Sequence, residues 1–277
     1  MAVALALAAA LLFSLGTVLQ QQVAATASEA EARGAGFLLA LARRPRWLAG
    51  IAADALGFVA QAAALAIGRI VVVQPLLATS VVFALPLGAR LEGKRVSRPE
   101  LGAAVAVTAG LGAFLVLADP SGGVEDPPAA DWIVSFAVAA LLCGALTLGA
   151  RGRPPVRRAA LLGTAAGILF ALSAALTKST VEQLDEGLLA VLEDWHLYAL
   201  IVVGYASMTL SQSSLQAGAL APAVATQMAL DPVASLLLGT LAFDETIHAD
   251  AGLAVAALAA FAVMIAGIAF LALRRPD

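Results

Sequence analysis

The chain has 277 residues, of which 61% are apolar and 13% charged, whereas a soluble domain carries roughly 45–50% apolar and about 25% charged residues. Too few polar side chains remain to cover a globular surface, which excludes a soluble enzyme, a nucleic-acid binder and a disordered chain. Net charge is -3, so the placement of charges says more than their sum. Cys143 is the single cysteine and His196 and His248 are the two histidines, which leaves no disulfide framework and no Cys- or His-rich metal centre. The sequence predicts an all-α integral membrane protein whose first partner is the lipid bilayer.

A helix crosses the hydrocarbon core with about 20 mainly apolar residues. Nine runs satisfy this: 2–27, 47–68, 71–90, 99–118, 131–150, 159–181, 195–217, 222–243 and 250–273. Two shorter stretches, 34–43 and 184–193, read as partial or interfacial helices. The opening Met1-Ala2-Val3-Ala4 lacks the basic start of a secretory signal, so the first run is expected to be a retained span. Trp47, Trp132 and Trp195 fall near predicted span ends, where indoles favour the interface. The spans are rich in Ala, Gly and Ser, which allows close helix approach and leaves room for a homo-oligomer.

Nine crossings put the termini on opposite faces. One face then holds Arg33, Arg43, Arg44, Arg46, Arg90, Lys94, Arg95, Arg98, Arg151, Arg153, Arg157, Arg158, Arg274 and Arg275, and the other only Arg69 and Lys178. The basic face is read as cytoplasmic, giving a multi-pass protein of the plasma (inner) membrane with its N-terminus outside and its C-terminus in the cytoplasm. Most acids, among them Glu125, Asp126, Glu182, Asp194, Asp244 and Glu245, map to the outside. Such a surface raises the local cation concentration.

Matched segments recur in order. Leu12-Phe13-Ser14-Leu15 and Leu19-Gln20-Gln21 correspond to Leu169-Phe170-Ala171-Leu172 and Leu176-Thr177-Lys178, and Trp47 to Trp195. Pro75-Leu76-Leu77-Ala78-Thr79 corresponds to Pro222-Ala223-Val224-Ala225-Thr226, Pro86 to Pro232, and Glu92 to Glu245. The copies begin five spans apart, an odd number, so the second enters from the opposite side. The expected architecture is a 4+1+4 inverted-topology repeat: four helices in 1–118, a connecting region 119–157 with its helix at 131–150, and four helices in 158–277. Inverted repeats are common in secondary transporters, with the substrate bound near the midplane between the copies.

This repeat unit, with a Pro-led helix closing on Glu92 or Glu245 before a Gly-containing last helix, resembles the drug/metabolite transporter superfamily of EamA-like fold. Within it, the nine spans, the outside N-terminus and Phe13-Ser14-Leu15-Gly16-Thr17-Val18-Leu19-Gln20-Gln21 are most similar to the NIPA-type magnesium transporters. Gln20, Gln21 and Gln22 stand where members of that branch tend to carry lysines. The resemblance implies transport by alternating access, with magnesium as cargo.

Asp54 and Asp231 are the acids placed well inside predicted spans. An ionised carboxylate at such depth costs at least ~2.5–3.5 kcal/mol, so it faces a wet path or a partner; the alternative is a protonated structural acid. Asp231 precedes Pro232, which frees the carbonyl of Met228, and Gln227 lies one turn earlier on the same face. This hard oxygen set suits a hydrated magnesium ion, with Asp54 and Asp231 as its candidate metal ligands. Gln61 shares a face with Asp54, and Tyr205, Thr209 and Gln212 form an i, i+4, i+7 stripe read as lining an aqueous route. Gln20, Gln21 and Lys178 are candidate gate residues, with Glu182 a local partner for Lys178. No phosphate-binding loop and no nucleophile–base pair occurs, so no enzymatic activity and no cofactor are expected. Two transport readings remain open, a divalent-cation carrier and a proton-coupled exporter of a small organic compound, beside a non-transporting membrane partner.

Overall fold

The computed structural model describes residues 1–25, 44–91, 93, 95–215, 217, 220–247 and 251–273. The expected partial helix at 34–43, Glu92, His248, Asp250, Lys94 and the C-terminal arginines lie outside the described residues.

The described residues are helical almost throughout: α1 (Ala2–Ala25), α2 (Pro45–Ala66), α3 (Ile70–Ala78), α4 (Ser80–Leu91), α5 (Arg98–Ala118), α6 (Ala129–Ala150), α7 (Pro155–Glu182), α8 (Leu188–Glu193), α9 (Trp195–Leu215), α10 (Leu220–Leu241) and α11 (Ala251–Leu273). Among the described residues, eight helical stretches are long and apolar enough to cross a membrane, and the protein is a multi-pass, all-α membrane protein. α9 is not one of the eight: it is 21 residues long, but its Ser, Thr and Gln residues dilute its apolar character. α3 and α4 together form one such stretch, Ile70–Arg90. The chain breaks at Thr79, the C-cap of α3, whose N–H turns back to the Leu76 and Leu77 carbonyls. Thr79 closes the break by donating its hydroxyl to the Leu76 carbonyl at 2.6 Å. α5 starts on a capping box in which Ser97 and Glu100 satisfy each other's backbone N–H groups. The expected segment at 184–193 is a 3-10 turn, Gln183–Glu186, followed by the short α8.

Small residues set the helix packing. Gly163 and Gly167 on α7 lie one turn apart and admit the backbone of α10: a Cβ on Gly167 would stand 2.8 Å from the Gln227 carbonyl oxygen. α5 crosses α11 in a reciprocal contact. A Cβ on Gly110 would meet the Ala260 carbonyl oxygen at 2.7 Å and the Met264 nitrogen at 2.8 Å, and one on Gly267 the Ala103 carbonyl oxygen at 3.1 Å and the Val107 nitrogen at 3.3 Å. Ala103 and Ala260, Val107 and Met264, and Gly110 and Gly267 are each 157 positions apart. The two helices therefore meet through equivalent positions. Phe114 and Phe261, with ring centroids 5.0 Å apart, fill the space beside it.

One end of the bundle is tied together. Gly68 lies against Ala2, and Arg69 Nε donates to the Gly122 carbonyl at 2.9 Å. Two short strands, β1 (Pro120–Gly122) and β2 (Glu245–Ile247), pair antiparallel with Ser121 opposite Thr246. Val124 N–H adds a bond to the Phe243 carbonyl. The N-terminal turn of α1 and the segments 67–69, 119–128 and 242–247 therefore share this end, and His196 brings the start of α9 to it through Asp126.

Candidate functional site

Asp54 sits on α2 facing α1, and the absence of a side chain at Gly16 makes room for it: a Cβ there would overlap the Asp54 carboxylate and come within 2.9 Å of the Gly50 carbonyl oxygen. Gln20, one turn along α1 from Gly16, donates its amide to Asp54 Oδ2 at 2.5 Å. The expected gate residue is thus a direct partner of the expected binding residue. Gln61 is half-buried two turns further along α2. The side chain of Gln21 lies outside the described residues.

Asp231 sits on α10 at its contact with α7, where a Cβ on Gly167 would stand 3.1 Å from the Asp231 nitrogen. Ser235 Oγ donates to Asp231 Oδ1 at 3.3 Å. Gln227, one turn before, accepts a hydrogen bond from Ser211 Oγ on α9 at 2.8 Å. The amide oxygen expected to join a magnesium ligand set is thus already engaged across the α9–α10 contact. Among the described residues, no hydrogen bond or ion pair joins Asp54 to Asp231, and no three His, Cys, Asp or Glu side chains converge to hold a metal ion. Each aspartate is held instead by one neutral side-chain donor, an arrangement that can exchange that donor for a proton, water or a passing cation.

The two polar stripes of α9 face opposite ways. Tyr205, Thr209 and Gln212 are exposed on the outer face of the helix, and Val203, Ser207, Ser211 and Ser214 form the buried one. Serine is small enough to pack against α7 and returns its hydroxyl to its own helix, as in Ser207 to Gly204 and Ser214 to Ser211, both at 2.8 Å.

Lys178, the third expected gate residue, is buried and pairs with Glu182 at 3.1 Å; its ammonium lies 5.9 Å from the ring centroid of Phe243. Close by is a polar contact that sequence reasoning did not place. Glu245, 2% exposed, accepts from the backbone N–H groups of Ile70 at 2.7 Å and Val71 at 2.8 Å. It caps the first turn of α3 from 175 residues away, at the end of a helix dipole that favours an anion. Burial pushes its carboxyl above the ordinary glutamate range, opposed by those two backbone donors, Lys178 and Arg69. Further buried polar atoms have no hydrogen-bond partner among the described residues: Gln74 Nε2, Ser179 Oγ, Thr180 Oγ1 and Glu182 Oε2. Gln74 carried a readable signal, an amide directly before a mid-helix proline. Ser179 and Thr180 carried none.

A second polar group lies at the tied end. The His196 ring is nearly inaccessible, with Nδ1 2.6 Å from Asp194 Oδ2 and Nε2 3.1 Å from Asp126 Oδ1. Trp132 Nε1 donates to the same Asp126 oxygen at 3.0 Å, and Trp195 lies 3.9 Å from the imidazole, centroid to centroid.

No family model matches the chain, and no solved structure matches it. It is similar to a protein of Corynebacterium glutamicum described as "Uncharacterized protein Cgl0250/cg0304", with 32% identity over 247 residues, covering 88% of this chain and 85% of that protein. On that likeness the chain belongs to the same family as the Corynebacterium glutamicum protein.

Proposed function

We propose that this protein is a secondary transporter of the plasma membrane that moves a small cation, magnesium first among the candidates, between two oppositely inserted halves of one chain. The observation carrying this reading is the pair Asp54 and Asp231. Each is an intramembrane carboxylate seated against a glycine and held by one neutral donor, an expensive placement that a structural role alone does not call for. The reciprocal Gly110–Gly267 crossing supports an inverted repeat. The unpartnered Gln74, Ser179 and Thr180 atoms support a hydrated interior beside α7. α9 is proposed as a ninth crossing: it starts beside Asp126 at the tied end, and α10 runs back toward β2 at that same end. This agrees with the resemblance to the drug/metabolite transporters. The acidic end is then outside and the basic loops cytoplasmic. The membrane potential supplies the driving force, ~2.3 kcal/mol per charge per 100 mV.

A second reading, a proton-coupled exporter of a small organic compound, is favoured by a different observation. A cavity of about 310 Å³ lies between α6, α7 and α10, lined by Val134, Val138, Leu172, Val233 and Leu237 among others, and it flanks Asp231 in sequence at Leu230 and Val233.

Flux into proteoliposomes separates the two. Magnesium uptake that follows an imposed potential and disappears in Asp54→Asn and Asp231→Asn is the expected result. Flux that needs a pH gradient and ignores magnesium selects the exporter. No flux under either gradient, with a full panel of cations, overturns both.

A further inference from the structure

At the tied end, apart from the two aspartates, Asp126, Pro127, Ala129, Trp132, Ile133, Phe136 and Trp195 line a half-open cleft of about 380 Å³, near the small end of ligand pockets. Its aromatic part is a triangle of rings: Trp132 to Trp195 at 5.5 Å and 88°, Trp132 to Phe136 at 5.8 Å, and Phe136 to Trp195 at 6.0 Å.

Trp132 is not an ordinary interfacial indole. It is 3% exposed, and its N–H is spent on Asp126 Oδ1 rather than on water or a lipid headgroup. That oxygen also faces His196 Nε2, itself buried with no hydrogen bond among the described residues. The effect is to hold one oxygen of Asp126 while its carboxylate stays 40% exposed at the rim of the cavity. Among the described residues Asp126 Oδ2 has no partner.

Among the described residues, Arg69 is committed to the Gly122 carbonyl and Lys178 to Glu182. Glu125, Asp131 and Asp194 add negative charge in the same segments. A fixed carboxylate beside the half-exposed Trp195 and its aromatic neighbours in a negative field suits a weakly hydrated organic cation; an anion is repelled, and a magnesium ion is too strongly hydrated to gain from the rings.

We propose that this cavity is a binding site for an organic ammonium group, of the kind carried by choline and its relatives, with Asp126 as counter-ion and Trp132, Phe136 and Trp195 as the aromatic wall. The site does not depend on the transport reading. The ammonium group can belong to a lipid headgroup or to a free solute, since the cavity lies at the end of the bundle where both are present.

The test uses the full chain carrying Trp47→Phe, so that Trp132 and Trp195 are the two fluorescent reporters. In choline-free detergent micelles, tetramethylammonium chloride is titrated against sodium chloride at matched ionic strength. A saturable change in emission with tetramethylammonium alone is expected. Asp126→Asn and Trp195→Ala should each weaken it about tenfold, the scale of a partly desolvated cation–π or ion-pair contact, and Asp126→Glu should restore much of it. Saturation-transfer NMR on the methyl protons of tetramethylammonium checks binding without relying on tryptophan. Nanodiscs then separate the sources: phosphatidylcholine that suppresses the titration, where phosphatidylglycerol does not, assigns the site to a lipid headgroup, and equal titration in both assigns it to a free solute. No saturable signal by either method, or Asp126→Asn protein with an unchanged circular dichroism spectrum that binds as well as its parent, overturns the proposal.

Discussion

Asp54 occupies the space that a side chain on Gly16 would need, so the placement of an acid on α2 depends on a missing Cβ on α1. Gly16→Ala should push the carboxylate away from Gln20 and, because the Gly50 carbonyl also blocks the methyl group, part the two helices. The expected cost is about 1–3 kcal/mol, as for overpacking elsewhere, seen as a lower melting temperature in detergent together with reduced flux. Gly112→Ala, which meets open space on α5, should leave both unchanged or slightly improved.

Gly110 and Gly267 should respond alike. Each faces backbone atoms of the other's helix, so Gly110→Leu and Gly267→Leu should destabilise by similar amounts, each about 1–3 kcal/mol or more. Thermal unfolding of the two single variants measures this. A large effect at one position and none at the other would remove the equivalence of the two positions.

Glu245→Ala should leave the Ile70 and Val71 N–H groups buried without their acceptor, at a cost of about 1–3 kcal/mol. Glu245→Gln keeps an acceptor oxygen and should cost less. Acidity gives a separate handle. Because burial raises the Glu245 carboxyl in the folded chain, the unfolded chain releases this proton first as pH rises. The group therefore favours the folded state at low pH and loses that contribution between the ordinary glutamate value and its raised folded one. Chemical denaturation across this window should show a downward slope in stability that Glu245→Gln flattens.

The two faces of α9 predict opposite sensitivities. Replacing Tyr205, Thr209 and Gln212 together by leucine should leave flux intact, since all three are exposed on the outer face. Ser211→Val should impair it, by adding bulk to the contact with α10 and releasing Gln227. Flux and melting temperature on the same preparations distinguish a lost contact from a lost fold.

Asp54 and Asp231 could be singled out from sequence because a charge within a long apolar run has few ways to be tolerated. The face that α9 buries could not. Tyr205, Thr209 and Gln212 repeat with the same helical period as Ser207, Ser211 and Ser214, and only the neighbouring helices decide which set turns inward. The break at Thr79 was not legible, since Pro75 removes a hydrogen bond to Val71 on its other side, and the pairing of β1 with β2 joins three-residue segments 125 positions apart at Ser121 and Thr246, too short and too distant to leave a pattern. The clasp of His196 between Asp126 and Asp194 was hidden for the same reason: two of its three members lie in loops whose course depends on the completed bundle.

The β1–β2 ribbon also limits how the molecule can move. It staples the segment after α5 to the segment before α11, and the Arg69 and Glu245 contacts fasten the turn before α3 to the same seam. Spreading the helices here means tearing main-chain pairs out of register, whereas tilting them about the seam leaves every one of those pairs in place. Any tilt that keeps these pairs is smallest at the seam and largest at the opposite end of the bundle, where the helices that carry Arg46, Arg98 and Arg157 begin.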